Sequence, residues 1–291
     1  MPNLLIYGVT GYTGRLATQH AQQLGLEIVV GGRSETIKTF ASHFDLSYRL
    51  FDLKDPKHID SALTDIAVLL NCAGPFHRTA EPLIDACILK KVHYLDVAGE
   101  LDSYKLAEKH DAEAKAANVM LLHGCGGSVA MLGCLAGHAV ARLRNMTPTR
   151  IDISLYVVNG ELAPQEATNT IQLDFDDGAG PVTNYPVTLP DLITLRRYTK
   201  VPNIRTFVHA AGDAFPTGDL AALPDGPTGA DGSVARLVLH TVNGYTFTGK
   251  GSVEGAKKVL AGAVRAGFQT PAEVSGSRFV EVVEGSSIKD F

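Results

Sequence analysis

An apolar strand runs straight into three evenly spaced glycines in "LLIYGVTGYTGRL", residues 4–16, which holds Gly8, Gly11 and Gly14. A buried strand, a glycine turn and a helical pattern in that order open a strand–helix–strand unit. Each glycine then has its own task. The first allows the tight turn, the second lets backbone approach a pyrophosphate, and the third lets helix and strand pack closely. Helix N-termini favour anions, through N–H groups that have no partner within the helix and through the dipole. Thr10, Tyr12 and Thr13 add donors, so the segment is expected to bind a dinucleotide.

The rest of the first half repeats the unit. Apolar runs at 26–30, 47–51, 66–72, 92–97 and 118–123 alternate with helical patterns near 13–24, 35–44, 57–64, 79–90, 103–117 and 128–144. Continuous apolar runs suit strands covered on both faces. The expected fold class is α/β, a Rossmann-type doubly wound parallel sheet. After Thr147-Pro148 the pattern changes to β-rich runs at 151–158, 170–175, 203–209 and 234–242, with helices at 189–199 and 252–265. These imply a second, mixed α+β sheet domain. Asn243-Gly244 in "VNGYTFTG" reads as a hairpin turn, and 212–232 reads as a long loop.

The end of the second strand selects the nucleotide. "VVGGRSE" places Arg33 and Ser34 where a carboxylate would hold an unphosphorylated ribose. Arginine there suits a 2′-phosphate, so NADP(H) is expected, with Glu35 on the ribose as the alternative. Asp52, ending strand three, either contacts the adenine or caps the next turn. "LLNCAGPF" ends strand four at the expected switch point. Asn71, Cys72, Ala73, Gly74 and Pro75 should therefore pass beneath the cofactor, with Phe76 as an apolar wall of the substrate site and His77 beside it.

Composition narrows the partners. The net charge is −5, and the 26 Lys+Arg are spread without a basic block, which argues against nucleic acid. Cys72, Cys87, Cys125 and Cys134 show no metal-ligand spacing, and they are read as reduced thiols of a cytoplasmic protein with no metal site. Met1-Pro2-Asn3 leads directly into a strand and is not read as a signal peptide. Residues 119–141 carry no acidic or basic side chain, but "GCGGS" divides them, so a strand, turn and buried helix are expected rather than a membrane span.

"YGVTGYTGRL", "GGRS", "LLNCAGPF", "HYLDVAGE" and "HGCGGSVA", in that order, resemble the NADP-binding domain of the saccharopine dehydrogenase-like family, which includes trans-acting enoyl reductases. The resemblance is strongest over residues 4–130. It implies an NADP-binding Rossmann domain at 1–147, a substrate and dimerisation domain at 148–250, and a C-terminal segment at 251–291 that returns to the first. It also implies a homodimer. It assigns the phosphate loop to Gly8 through Gly14, the 2′-phosphate to Arg33, and the nicotinamide segment to Asn71 through Phe76. This chain departs from it by reading "HGCGGS" where relatives tend to read "HGCGFDS", and by being shorter near Asn159-Gly160-Glu161 and Pro227-Thr228-Gly229.

A hydride reductase places its cofactor beside an electrophilic carbon and sometimes needs an acid. The YxxxK pair of short-chain dehydrogenases is missing, because Tyr104 has Glu108 four residues on. His123, Asp96 and Glu100 are the candidate catalytic donors at the sheet's carboxyl edge; a structural reading stands beside each. Arg196, Arg197 and Arg205 could supply some of the carboxylate sites that saccharopine chemistry needs, but Arg196-Arg197 sit on an expected helix, where consecutive arginines usually form a solvated face, so saccharopine is not the expected substrate. The expected function is NADPH-dependent reduction of a conjugated C=C or a C=N bond in a small or medium apolar substrate. The alternative is a non-catalytic NADP(H)-binding sensor or scaffold.

Overall fold

In a computed structural model of the protein, the described residues are 3–143, 147–158, 170–175, 178–186, 190–211, 220–223, 228–229 and 234–291. The first half contains β1 (Asn3–Tyr7), α1 (Tyr12–Gln23), β2 (Ile28–Gly32), α2 (Thr36–His43), β3 (Ser47–Leu50), α3 (Pro56–Ala62), β4 (Ile66–Asn71), α4 (Phe76–Lys90), β5 (His93–Asp96), α5 (Leu101–Lys109), α6 (Asp111–Ala116), β6 (Met120–Leu122) and α7 (Gly127–Arg142). The second half contains β7 (Pro148–Val158), β8 (Ile171–Leu173), β9 (Val182–Pro186), α8 (Asp191–Thr199), β10 (Asn203–Ala211), β11 (Leu220–Leu223), β12 (Thr228–Gly229), β13 (Leu237–His240), α9 (Gly244–Leu260), β14 (Gly267–Gln269), α10 (Pro271–Ser275) and β15 (Ser287–Asp290). The chain divides into two units. One is Met1–Gly127 with Thr248–Ser275, and the other is Ser128–Phe247 with Gly276–Phe291. Helix 128–144, expected with the first domain, thus falls in the second, and the C-terminal segment is shared between them.

The first unit is a seven-stranded parallel sheet in the order β3-β2-β1-β4-β5-β6-β14. The strand order reverses between β1 and β4, which opens a crevice at their carboxyl ends. Alternate residues of β1 enter different cores. Leu4 and Ile6 pack with Ala17 and Ala21 of α1 and Val253 and Ala256 of α9. Leu5 and Tyr7 pack with Ile59 of α3 and Leu83 and Ile84 of α4. Covering both faces is what makes the strand apolar at every position.

The three glycines behave differently. Gly8 has φ +91°, and a Cβ there would lie 2.8 Å from Ala73 Cβ. A Cβ on Gly14 would lie 2.3 Å from Gly8 O, so α1 rests directly on the turn. Gly11 is the N-cap of α1, with extended φ −76° and ψ 166°. A Cβ there would meet only Gly8 O, at 3.3 Å.

The second unit holds an eight-stranded mixed sheet in the order β15-β13-β11-β7-β10-β9-β8, with β12 also on β7. Two expectations are corrected here. Asn243-Gly244 starts α9 rather than a hairpin: Asn243 Oδ1 accepts from Tyr245 N at 3.0 Å, a helix cap. Phe247 is fully buried, and that burial outweighs the β-propensity of "YTFT". Within the expected loop at 212–232, residues 220–223 and 228–229 are strand; the rest, like 159–161, lies outside the described residues.

Gly14→Ala should lower stability by about 1–3 kcal/mol, the usual cost of overpacking. Gly11→Val should leave stability within about 1 kcal/mol of wild type but remove nucleotide binding. Urea denaturation and nucleotide fluorescence on the same samples check both outcomes.

Candidate functional site

A cleft of about 720 Å³ lies in the first unit. Its floor is Tyr7, Gly8, Thr10 and Gly11, from the end of β1 and the turn into α1. One wall is Gly32, Arg33, Ser34 and Thr36 after β2, with Asp52, Leu53 and Lys54 after β3. The other is Cys72, Ala73, Gly74 and Pro75 after β4, with Arg78 and Thr79 in the first turn of α4. No side-chain oxygen caps α1, which leaves the helix end for an anion. Three cationic side chains, Arg33, Lys54 and Arg78, line the cleft against one carboxylate, Asp52. The chain's net charge is −5, so this is a local reversal of sign that suits a polyanion.

Ten of the expected cofactor residues line the cleft: Gly8, Thr10, Gly11, Arg33, Ser34, Asp52, Cys72, Ala73, Gly74 and Pro75. Tyr12, Thr13, Gly14 and Asn71 do not. Asp52 Oδ1 accepts from Lys54 N at 3.0 Å, so it caps its own turn while still lining the cleft. Burial pushes the Tyr7 hydroxyl up to about 12; nearby Asp52 adds to this and Arg33 opposes it. Glu35 lies outside the lining and pairs with Lys38 at 2.5 Å. Sequence reasoning missed Tyr7, Gly32, Thr36, Leu53, Lys54, Arg78 and Thr79. The signal for Arg78 and Thr79 was the true start of α4 at Phe76, three residues before the helical pattern begins.

Behind the second wall runs a buried polar chain. Asn71 Nδ2 donates to Thr79 Oγ1 (3.2 Å) and to Tyr94 OH (3.1 Å). Thr79 in turn donates to Ala73 O at 2.7 Å, and Asn71 Oδ1 accepts from Ala73 N at 3.0 Å. Tyr94 OH donates to Asp96 Oδ2 at 3.1 Å. Asp96 Oδ1 accepts from Ala98 N at 3.1 Å and Gly124 N at 3.0 Å. His123 Nδ1 stands 2.9 Å from Asp96 Oδ2, off the line a hydrogen bond prefers, and its Nε2 has no partner. This chain ties the ends of β4, β5 and β6 together and fixes the Ala73–Thr79 wall.

The expected catalytic groups sit outside the cleft. Asp96 and His123 are fully buried, and His123 packs among Tyr94, Tyr104 and Phe268. Glu100 Oε1 accepts from Phe76 N at 3.1 Å, at the start of α4. Phe76 is buried and His77 exposed, and neither lines the cleft. Burial by itself would raise the Asp96 carboxyl, but His123 and the Gly124 and Ala98 N–H groups hold it below its ordinary 3.8. Burial, with Asp96 nearby, pushes the Cys72 thiol up to about 12, which keeps it protonated and unreactive. In the second unit, Arg205 Nε donates to buried Asp152 at 2.8 Å, and Arg150 pairs with the same carboxylate at 2.8 Å. Asp191, at the start of α8, is buried with neither oxygen hydrogen-bonded, and burial pushes it up to about 7.

Among the described residues, no group of three or more His, Cys, Asp or Glu side chains could hold a metal ion, and no helix is long and apolar enough to cross a membrane. Residues 4–122 match the family model described as the saccharopine dehydrogenase NADP binding domain. Every cleft-lining residue falls within that range. A trans-acting enoyl reductase of Mycobacterium ulcerans (strain Agy99) is 30% identical over 137 residues, 42% of this chain and 32% of that protein. A lipid droplet localized protein of Caenorhabditis elegans is 24% identical over 139 residues, 43% of this chain and 33% of that protein. The aligned segments thus span about a third of the length of these relatives. Saccharopine dehydrogenase (L-Glu forming) of Saccharomyces cerevisiae superposes with a TM-score of 0.69 at 11% identity, over 100% of both chains. Dihydrodipicolinate reductase of Paenisporosarcina sp. TG-14 gives 0.51 at 11% identity, over 94% of this chain and 98% of that one. These structural likenesses concern the fold.

The depressed Asp96 carboxyl has a pH signature. A carboxyl whose pKa is lower in the folded state contributes stability above its unfolded value, about 3.9, and loses it as pH falls through the folded value. Asp96→Asn should be less stable than wild type at pH 7, and the gap should narrow below about pH 4. Urea titrations from pH 3 to 7 measure it; a gap independent of pH would contradict the assignment.

Proposed function

We propose, from the match of residues 4–122 to the saccharopine dehydrogenase NADP binding domain model, that the chain is an NADPH-dependent reductase of a conjugated C=C or a C=N bond in a small or medium apolar substrate. The cofactor of this domain is NADP(H). The observation that carries the reading is the cleft itself: an uncapped helix start, a glycine floor open at Gly11, and Arg33 where a ribose-binding carboxylate would repel a 2′-phosphate.

When bound, NADPH supplies a hydride. The chain's contribution is binding and orientation. Arg33 holds the 2′-phosphate, with Ser34 beside it. The small side chains of Cys72, Ala73 and Gly74 let the cofactor lie close against the end of β4. The buried Asn71–Tyr94–Asp96 chain keeps that wall in place. Asp52 is the one acidic side chain lining the cleft, and it lies on the adenine side, after β3. A reaction that draws its proton from water fits this lining, as reduction of a C=C or C=N bond does. Asp96, His123 and Glu100 then act as positioning residues, and of Phe76 and His77 it is the exposed His77, in the first turn of α4, that a substrate could reach. A homodimer through the second unit's sheet is part of the same proposal, because β8 and β15 end that sheet among the described residues, and a sheet edge invites pairing. Light scattering giving a mass near 30.9 kDa would contradict it.

Arg33→Ala should weaken NADPH about tenfold or more and leave NADH nearly unchanged, since a charge-assisted contact is lost only with the phosphorylated ribose. Calorimetry on both variants decides this, and equal wild-type affinities for the two nucleotides would count against it. Turnover is tested by NADPH oxidation against enones, enoyl thioesters and cyclic imines. Oxidation with one of these classes supports the reductase. Tight NADPH binding with the whole panel inert favours the sensor or scaffold.

A further inference from the structure

Arg78 has no place in the reading so far. It is the third residue of α4, and it is exposed. It lines the same cleft as Gly8, Gly11 and Arg33. Among the described residues its guanidinium takes part in no hydrogen bond or ion pair. Arginines with no structural partner are normally solvated; this one instead faces a concave, cation-lined cleft.

Its base is fixed. Thr79, the next residue, donates to Ala73 O at 2.7 Å, and Asn71 accepts from Ala73 N at 3.0 Å. Ala73 in turn presses on Gly8, where a Cβ would lie only 2.8 Å away. Arg78 therefore rises from a wall locked against the glycine turn. Arg33 rises from the other wall. It follows β2, while Arg78 follows β4, and β1 lies between those two strands. Adjacent strands are about 4.8 Å apart, so the two walls start about 10 Å apart with the glycine floor between them. A pyrophosphate seated at the start of α1 lies between the walls, and the phosphorylated ribose lies toward β2.

We propose that Arg78 is a second phosphate-binding residue, which clamps the cofactor's pyrophosphate from the β4 side, while Arg33 reads the 2′-phosphate from the β2 side. The two arginines then divide the work. Arg78 contributes affinity that NADPH and NADH share, and Arg33 contributes the discrimination between them. Guanidinium suits the task because its parallel N–H groups can bind two oxygens of a phosphate at once. The inference rests on the reading of the cleft as the NADP(H) site.

The test is equilibrium binding to wild type, Arg78→Ala and Arg78→Lys, with circular dichroism to verify the fold of these exposed-site variants. NADPH and NADH are titrated by fluorescence, and 2′-AMP, which lacks a pyrophosphate, by calorimetry. Arg78→Ala should weaken NADPH and NADH by the same factor, about tenfold or more, and leave 2′-AMP unchanged. Arg78→Lys should recover part of the loss for both dinucleotides. A loss confined to NADPH and 2′-AMP would place Arg78 on the 2′-phosphate and overturn the proposal, as would unchanged affinity for all three. Wild type that binds neither dinucleotide would instead overturn the cofactor reading beneath it.

Discussion

The start of α1 lies on the turn that follows β1, and no side chain separates them. A Cβ on Gly14 would stand 2.3 Å from Gly8 O, well inside any tolerated contact. That approach brings the N-terminus of α1 to the crevice where the strand order reverses. It also fixes the height of the floor against which Ala73 packs through Gly8. The cleft has its shape because two backbone segments touch there, and its charge because three cationic side chains surround that contact.

The wall after β4 depends on a different kind of interaction. Asn71 of β4 and Tyr94 and Asp96 of β5 are fully buried polar groups on two neighbouring strands, and each is satisfied by the next. Buried polar groups without partners are costly, so such a chain holds one arrangement against others. Asp96 reaches furthest: it takes N–H groups from the loops after β5 and β6 and faces His123. The residues that looked most catalytic in the sequence are thus the ones that hold the sheet's carboxyl edge together. Asp96 and His123 are fully buried outside the cleft lining, and Asp96 is linked to the Ala73–Thr79 wall through Tyr94 and Asn71.

Much of this was legible in the sequence wherever one residue type answers one local need. Gly8 needs positive φ, Gly14 needs no Cβ, and Arg33 ends β2 in place of an acid. Strands buried on both faces announced the parallel sheet by being apolar throughout. The polar chain could not be read, because Asn71, Asp96 and His123 meet only once β4, β5 and β6 are known to lie side by side. Arg78 was hidden because periodicity started α4 at 79, which left it in a loop. Asn243-Gly244 misled for a related reason. Asn serves hairpin turns and helix caps alike, and only the burial of Phe247 in α9 decides between them.

The central claim is that the 2′-phosphate of NADPH sits at Arg33 in this cleft. The phosphorus-31 spectrum of NADPH bound to the protein, recorded from pH 8 to 5.5, tests it most directly. A free phosphomonoester takes up a proton near pH 6. A 2′-phosphate paired with Arg33 should stay dianionic through that range and keep its resonance in place, and Arg33→Ala should restore the titration. A bound 2′-phosphate that titrates in wild type as it does in free NADPH would contradict the claim.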